Sequence, residues 1–172
     1  MRRFTFVVAV LVATVATATA LAAVNVKSFP TASFSGASVT LTGGNFSGLG
    51  SVPANATLTA TGTVSYQCAN PQGHLSPGQN PVPAQPGTTN QGLGNADHNG
   101  RGTITNMTAT ATAPNPPPSA QAVGCGGTGS TQWTVTNPVV TVTGAHLEIT
   151  QGGSVIFCRN YTPGGSAIGT AC

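Results

Sequence analysis

The sequence predicts an all-β chain folded as an antiparallel sandwich or barrel, and three observations carry that prediction. Apolar and polar residues alternate with period two in several runs. No segment after residue 23 shows a helical period with caps. The connections between the runs are rich in Gly and Pro, which together number 36 of 172 residues.

Taken in order, Val39 and Leu41 mark a first short strand. From Thr57 to Cys68 one face carries Leu58, Ala60, Gly62, Val64, Tyr66 and Cys68, and the other carries Thr57, Thr59, Thr61, Thr63, Ser65 and Gln67. That is a strand with one buried face and one hydroxyl-rich wet face. Thr103 to Thr112 reads as another strand, with Met107, Ala109 and Ala111 in phase and Ile104 out of phase, a pattern that predicts a bulge. Gln132 to Thr143 places Trp133 and Val135 on one face, then Val140 and Val142 after a phase change at Asn137-Pro138. Proline cannot donate to a ladder, so a bulge or an edge fits there. Leu147-Glu148-Ile149 and Val155-Ile156-Phe157 flank Gln151-Gly152-Gly153, the pattern of a tight hairpin.

Two connections are long and rich in Pro and Gly: Ala69 to Gly100, with 5 Pro and 6 Gly, and Ala113 to Ser130, which contains Pro116-Pro117-Pro118. Asn80-Pro81-Val82-Pro83 within the first is expected to run extended along a sheet edge. Four cysteines in an exported chain read as two disulfides, for which three connectivities exist. Cys68 ends a strand at the mouth of one long loop and Cys125 lies in the other, while Cys158 ends the last strand and Cys172 ends the chain. Loop proximity favours Cys68–Cys125 with Cys158–Cys172, which in the chain-entropy account stabilise by about 4 and about 3 kcal/mol.

Export itself is read from the N-terminus. Met1-Arg2-Arg3, an apolar stretch from Phe4 to Val15 and the small residues Ala20 and Ala22 have the layout of a signal peptide over residues 1–22. Residues 23–172 would then form a single secreted domain, with no membrane span because the apolar run falls short of the roughly 20 residues needed. After cleavage the charges are Lys27, Arg101, Arg159, Asp97 and Glu148, a net charge of +1. Charged residues make up 4% of the chain, against about 25% in ordinary domains, while Thr alone numbers 27. A surface so neutral offers nothing to a phosphate backbone, which argues against nucleic-acid binding.

Several segments resemble a group of uncharacterised small secreted proteins from actinobacteria. They are Val64-Ser-Tyr-Gln-Cys-Ala-Asn-Pro-Gln-Gly73, Pro77-Gly-Gln-Asn-Pro-Val-Pro83, Ala113-Pro-Asn-Pro-Pro-Pro118, Trp133-Thr-Val-Thr and Ile149-Thr-Gln-Gly-Gly-Ser-Val155. The resemblance covers roughly residues 55 to 160 and implies fold and location, but no activity. Within that group the first two cysteines are typical, and the Cys158/Cys172 pair is an addition. Tyr66-Gln67-Cys68 also resembles the tyrosine corner of immunoglobulin domains, although it stands at the first cysteine rather than the second. An immunoglobulin-like sandwich is therefore expected, and a true immunoglobulin domain is not. The composition is similar to that of the enediyne-carrying apoproteins, whose disulfides, unlike Cys68–Cys125, close short loops.

Chemistry-bearing residues are sparse. Asp97-His98, His74 and His146 are scattered, with no HxH or HExxH spacing, so solvated loop histidines are the expectation and no metal or other cofactor is implied. No Gly-x-Ser-x-Gly elbow occurs, the cysteines are expected to be oxidised, and Asp97 and Glu148 are the whole carboxylate supply. Gly124-Cys-Gly-Gly-Thr-Gly129 lacks the Lys and the helix of a phosphate loop. The chain therefore reads as non-enzymatic. Trp133 and Tyr66 share strand faces with apolar neighbours and read as core. Tyr161, placed past the last strand, is the candidate exposed contact, with His74 and His98 as further ligand-contact candidates. The expected role is a structural or interaction protein of the cell envelope or extracellular space. A polysaccharide- or small-ligand-binding module and a secreted protease inhibitor are the alternatives. Partners would be a cell-wall polysaccharide or another extracellular protein.

Overall fold

The computed structural model describes residues 24–50, 52–93, 100–126 and 132–172. The predicted signal peptide lies outside them, as do Asp97 and His98. No helix occurs among the described residues, and every strand pairing is antiparallel.

Short strands open the chain: β1 (Asn25–Ser28), β2 (Thr31–Ser35), β3 (Ser38–Thr42) and β4 (Asn45–Ser47). The long strand β5 (Ala54–Ala69) follows, then β6 (Leu75–Pro77), β7 (Val82–Pro83), β8 (Gly87–Gly92), β9 (Gly102–Thr103) and β10 (Asn106–Thr110). The second long strand, β11 (Thr134–Gln151), leads into β12 (Ser154–Tyr161) and β13 (Thr170–Ala171).

Three sheets result. The largest is built on β5 and β11, paired from Ala54↔Gln151 to Ala69↔Thr134, and continues through β12 to β13. The second has the order β10-β3-β2 and the third β1-β4-β9. Buried side chains from all three join one cluster, among them Leu58, Leu147 and Ile149 from the largest, Val39, Leu41 and Met107 from the second and Phe46 from the third. Burial on β5 alternates as its sequence dictates, with Leu58, Ala60, Val64, Tyr66 and Cys68 all inside. Much of that inner face is alanine. Small side chains let backbones approach closely: a Cβ added at Gly87 on β8 would collide with the Thr110 carbonyl on β10, where the largest and second sheets meet.

The free edge of β5 is occupied in series by the first long connection. β8 pairs with Asn55 to Ala60, β7 with Thr63 and Val64, and β6 with Gln67 to Ala69. Val82–Pro83 of the expected extended run does pair along that edge, and β6, β7 and β8 together put 11 residues of the expected long loop into strand. β8 (GTTNQG) has no apolar alternation to announce it, because its backbone ladder rather than side-chain burial holds it.

Two further patterns resolve differently from the simplest reading. The phase change near Ile104 is not a bulge within one strand. The chain leaves the third sheet after β9 and joins the second at β10, and Ile104 is fully buried between them. The Asn137-Pro138 phase change is a bulge, with Asn137 at φ 48°. A second bulge between Val142 and Gly144 restores the phase, so the two segments expected separately are one 18-residue strand. The turn at Gly152-Gly153 closes the predicted hairpin, both glycines having positive φ.

Both predicted disulfides are formed, with Cα–Cα distances of 5.4 Å for Cys68–Cys125 and 5.8 Å for Cys158–Cys172. They fit an oxidising, non-cytoplasmic environment. Beside the first, the Asn80 amide donates to the Val123 carbonyl at 3.1 Å, so the two long connections meet at this clamp. Tyr66 is buried with its hydroxyl unpartnered, so the bond that defines a tyrosine corner is not made.

Candidate functional site

The second sheet turns its apolar residues inward and leaves nine polar positions on the other face. Register aligns them in three rows across β2, β3 and β10: Thr31, Thr42 and Asn106; Ser33, Thr40 and Thr108; Ser35, Ser38 and Thr110. All nine are exposed or half-buried and none is charged. Neighbouring hydroxyls hydrogen-bond across strands, Ser38 to Thr110 at 2.8 Å, Thr40 to Thr108 at 2.9 Å and Thr31 to Thr42 at 3.2 Å. The strand lattice spaces the rows by about 6.7 Å and the columns by about 4.8 Å. Each hydroxyl has one donor and two acceptor sites, so a pair that shares one bond keeps capacity for an outside partner. The face is a neutral, regular hydroxyl grid with no aromatic ring on it.

A second constellation lies on the outer face of the largest sheet. His146 and Glu148 are two apart on β11 and so share a face, and His146 sits opposite Asn160 of β12. The His146 Nδ1 is 2.7 Å from Asn160 Oδ1 and the Nε2 is 3.0 Å from Glu148 Oε1. The hydrogen bonds to Asn160 and Glu148 raise the imidazole above its ordinary value, against a smaller opposing effect of burial. The Cys172 Sγ is 3.9 Å from the same Nδ1. Such a group can hold a proton beside a sulfur. Sequence reading treated His146 as a solvated loop histidine, although its i, i+2 spacing to Glu148 within an alternating run was the signal available. The approach of Asn160 and Cys172 requires the register of β12 and β13.

Tyr161 is not the exposed contact expected of it. It is the last residue of β12 and 1% exposed, and its hydroxyl donates to the Pro30 carbonyl at 3.3 Å. Burial pushes its pKa up to about 12, with Arg159 acting weakly the other way. β12 continues three residues past Cys158, where the sequence reading ended it, and its last residue packs inward. Arg159 meanwhile lies 3.8 Å over the Phe29 ring and donates to the carbonyls of Ile168 and Gly169 at 2.8 and 2.7 Å, fastening the C-terminal tail. His74 is exposed in a turn closed by Asn70, whose side-chain oxygen accepts from the amides of Gln72 and His74. Trp133 is half-buried against the core, as its strand face predicts.

A cleft of about 420 Å³ opens over the third sheet, lined by Lys27, Asn45, Ser47, Arg101 and Thr103 among others. Among the described residues no group of three or more His, Cys, Asp or Glu could hold a metal ion, and no helix is long and apolar enough to cross a membrane. No family model matches the chain, and no curated protein or solved structure shows significant similarity to it.

Proposed function

We propose that this is a secreted, non-catalytic protein of the cell envelope or extracellular space that works by surface contact, and that its partner is an uncharged, hydroxyl-rich polymer such as a wall or matrix polysaccharide. We take its sheets as the layers of an immunoglobulin-like sandwich, exported by the N-terminal segment. One observation carries this reading: the nine-position polar grid on β2, β3 and β10, eight hydroxyls and the Asn106 amide, uncharged throughout and regular in two directions. A surface without charge gains nothing from an ionic partner, whereas rows of donors and acceptors match a polymer that presents rows of hydroxyls.

The experiment is co-sedimentation of the mature, oxidised protein with insoluble chitin, cellulose and peptidoglycan. Depletion from solution, reversed by soluble fragments of one polymer, is the expected result. Failure to deplete with any of the three overturns the reading.

A further inference from the structure

The two disulfides stand in opposite surroundings. Cys68 and Cys125 are each 1% exposed inside the core. Cys158 is half-buried on the outer face of β12, and Cys172 is exposed at the end of the described chain. The second has an imidazole in contact, with His146 Nδ1 3.9 Å from Cys172 Sγ and its other nitrogen against Glu148. We propose that Cys158–Cys172 is a thiol–disulfide exchange site, with Cys158 as the sulfur attacked by an external thiol and Cys172 as the leaving sulfur, received by His146.

Exchange proceeds through a thiolate attacking one sulfur of the bond, and it is faster when the departing sulfur is the more stable thiolate. An imidazolium beside a sulfur stabilises its thiolate. Here the attacking species is the thiolate of a low-molecular-weight thiol. A new S–S bond forms between it and Cys158, the Cys158–Cys172 bond breaks, and the electron pair of that bond departs on Cys172 Sγ. The His146 imidazolium, whose Nδ1–H donates to Asn160 Oδ1, lies with that nitrogen 3.9 Å from Cys172 Sγ and stabilises the thiolate by its charge. The external thiol is the reductant, its sulfur being oxidised as Cys172 is reduced. The product is a mixed disulfide at Cys158.

The tail is built to make the step reversible. Arg159 and Asn160 pair with Ala171 and Thr170, and the Arg159 guanidinium binds the Ile168 and Gly169 carbonyls. These bonds do not involve the disulfide, so Cys172 stays beside Cys158 after it is released. It can then attack the mixed disulfide and expel the captured thiol, an intramolecular step favoured by proximity. The groups facing His146 are Glu148 on its own strand, Thr59 opposite on β5, and Asn160, Cys158 and Cys172 on the β12 side. Glu148 is the charged one among these described residues, and it favours the imidazolium.

The test incubates the folded, full-length oxidised protein with reduced glutathione, quenches with N-ethylmaleimide and maps the adducts by mass spectrometry. Glutathione on Cys158 with maleimide on Cys172, and Cys68–Cys125 intact, is expected. His146→Gln should slow adduct formation about threefold or more at pH 6, and this wild-type advantage should vanish at high pH, where His146 is neutral. Glu148→Gln should move the rate in the same direction. A merely structural role predicts the opposite, since loosening the tail exposes the disulfide and speeds attack. Glutathione on Cys172, adducts spread over all four cysteines, or equal rates for wild type and His146→Gln at every pH would each overturn the proposal.

Discussion

Removing the hydroxyl pairs at the centre of the grid separates what the β2-β3-β10 face does from how it folds. The variant combines Ser38→Ala, Thr40→Val, Thr108→Val and Thr110→Val, deleting both partners of the 2.8 Å and 2.9 Å hydrogen bonds. Deleting both partners strands no donor or acceptor, and the positions are exposed or half-buried, so the net effect on folding should stay within about 1 kcal/mol. Valine also fits a pleated strand at least as well as threonine. Binding should respond differently. If each of the four hydroxyls makes one hydrogen bond to the polymer, at about 0.5–1.5 kcal/mol each, the loss is at least about 2 kcal/mol, or roughly thirtyfold in affinity. Urea denaturation gives the first quantity and a co-sedimentation isotherm the second. A folded variant that binds as tightly as the wild type would refute the grid as the contact surface. A loss of more than about 2 kcal/mol in stability would refute the claim that the hydroxyl pairs are dispensable to the fold.

Three further outcomes are expected. Leu147, fully buried opposite Leu58, should cost about 3 kcal/mol or more when changed to Ala, lowering Tm by roughly 6–12 °C in a thermal melt; a drop of under 2 °C would contradict its place in the core. His146, raised in the folded state above its ordinary 6.5, contributes stability that is complete below that value and fades as pH rises through the folded value, so wild type should exceed His146→Gln in urea stability at pH 5 by more than at pH 9. Burial raises both tyrosines and holds Tyr161 at about 12, so Tyr161 should stay protonated through pH 10 in the folded protein; absorbance at 295 nm that shows both tyrosines ionised near pH 10 without unfolding would contradict its burial.

Legibility of the sequence followed the source of each element's stability. Strands held by burial of alternating side chains, β3, β5 and β10, were readable because the pattern is written in residue type. Strands held by their backbone ladder, β6 to β8 along the edge of β5, left only the Pro-spaced run at Asn80–Pro83 as a trace. Pro138 marked the first bulge of β11, whereas the second, at Val142 to Gly144, has no such marker. The candidate site was less readable still. Tyr161 looked exposed because it stands beyond the run read as the last strand, and His146 looked isolated because Asn160 and Cys172 reach it from other strands.

By itself the sequence determined the all-β class and the neutral hydroxyl-rich surface, because alternation and composition are properties of the chain read one residue at a time; it favoured one of three cysteine pairings, which the structure then showed. Only the tertiary structure decided which hydroxyls align into a grid, that Tyr161 turns inward against Pro30, and that His146 meets Asn160, Glu148 and Cys172. Those relations depend on strand register, and register is fixed by the joint burial of many side chains rather than by any local run, so a shift of one residue would send each of these groups to the opposite face.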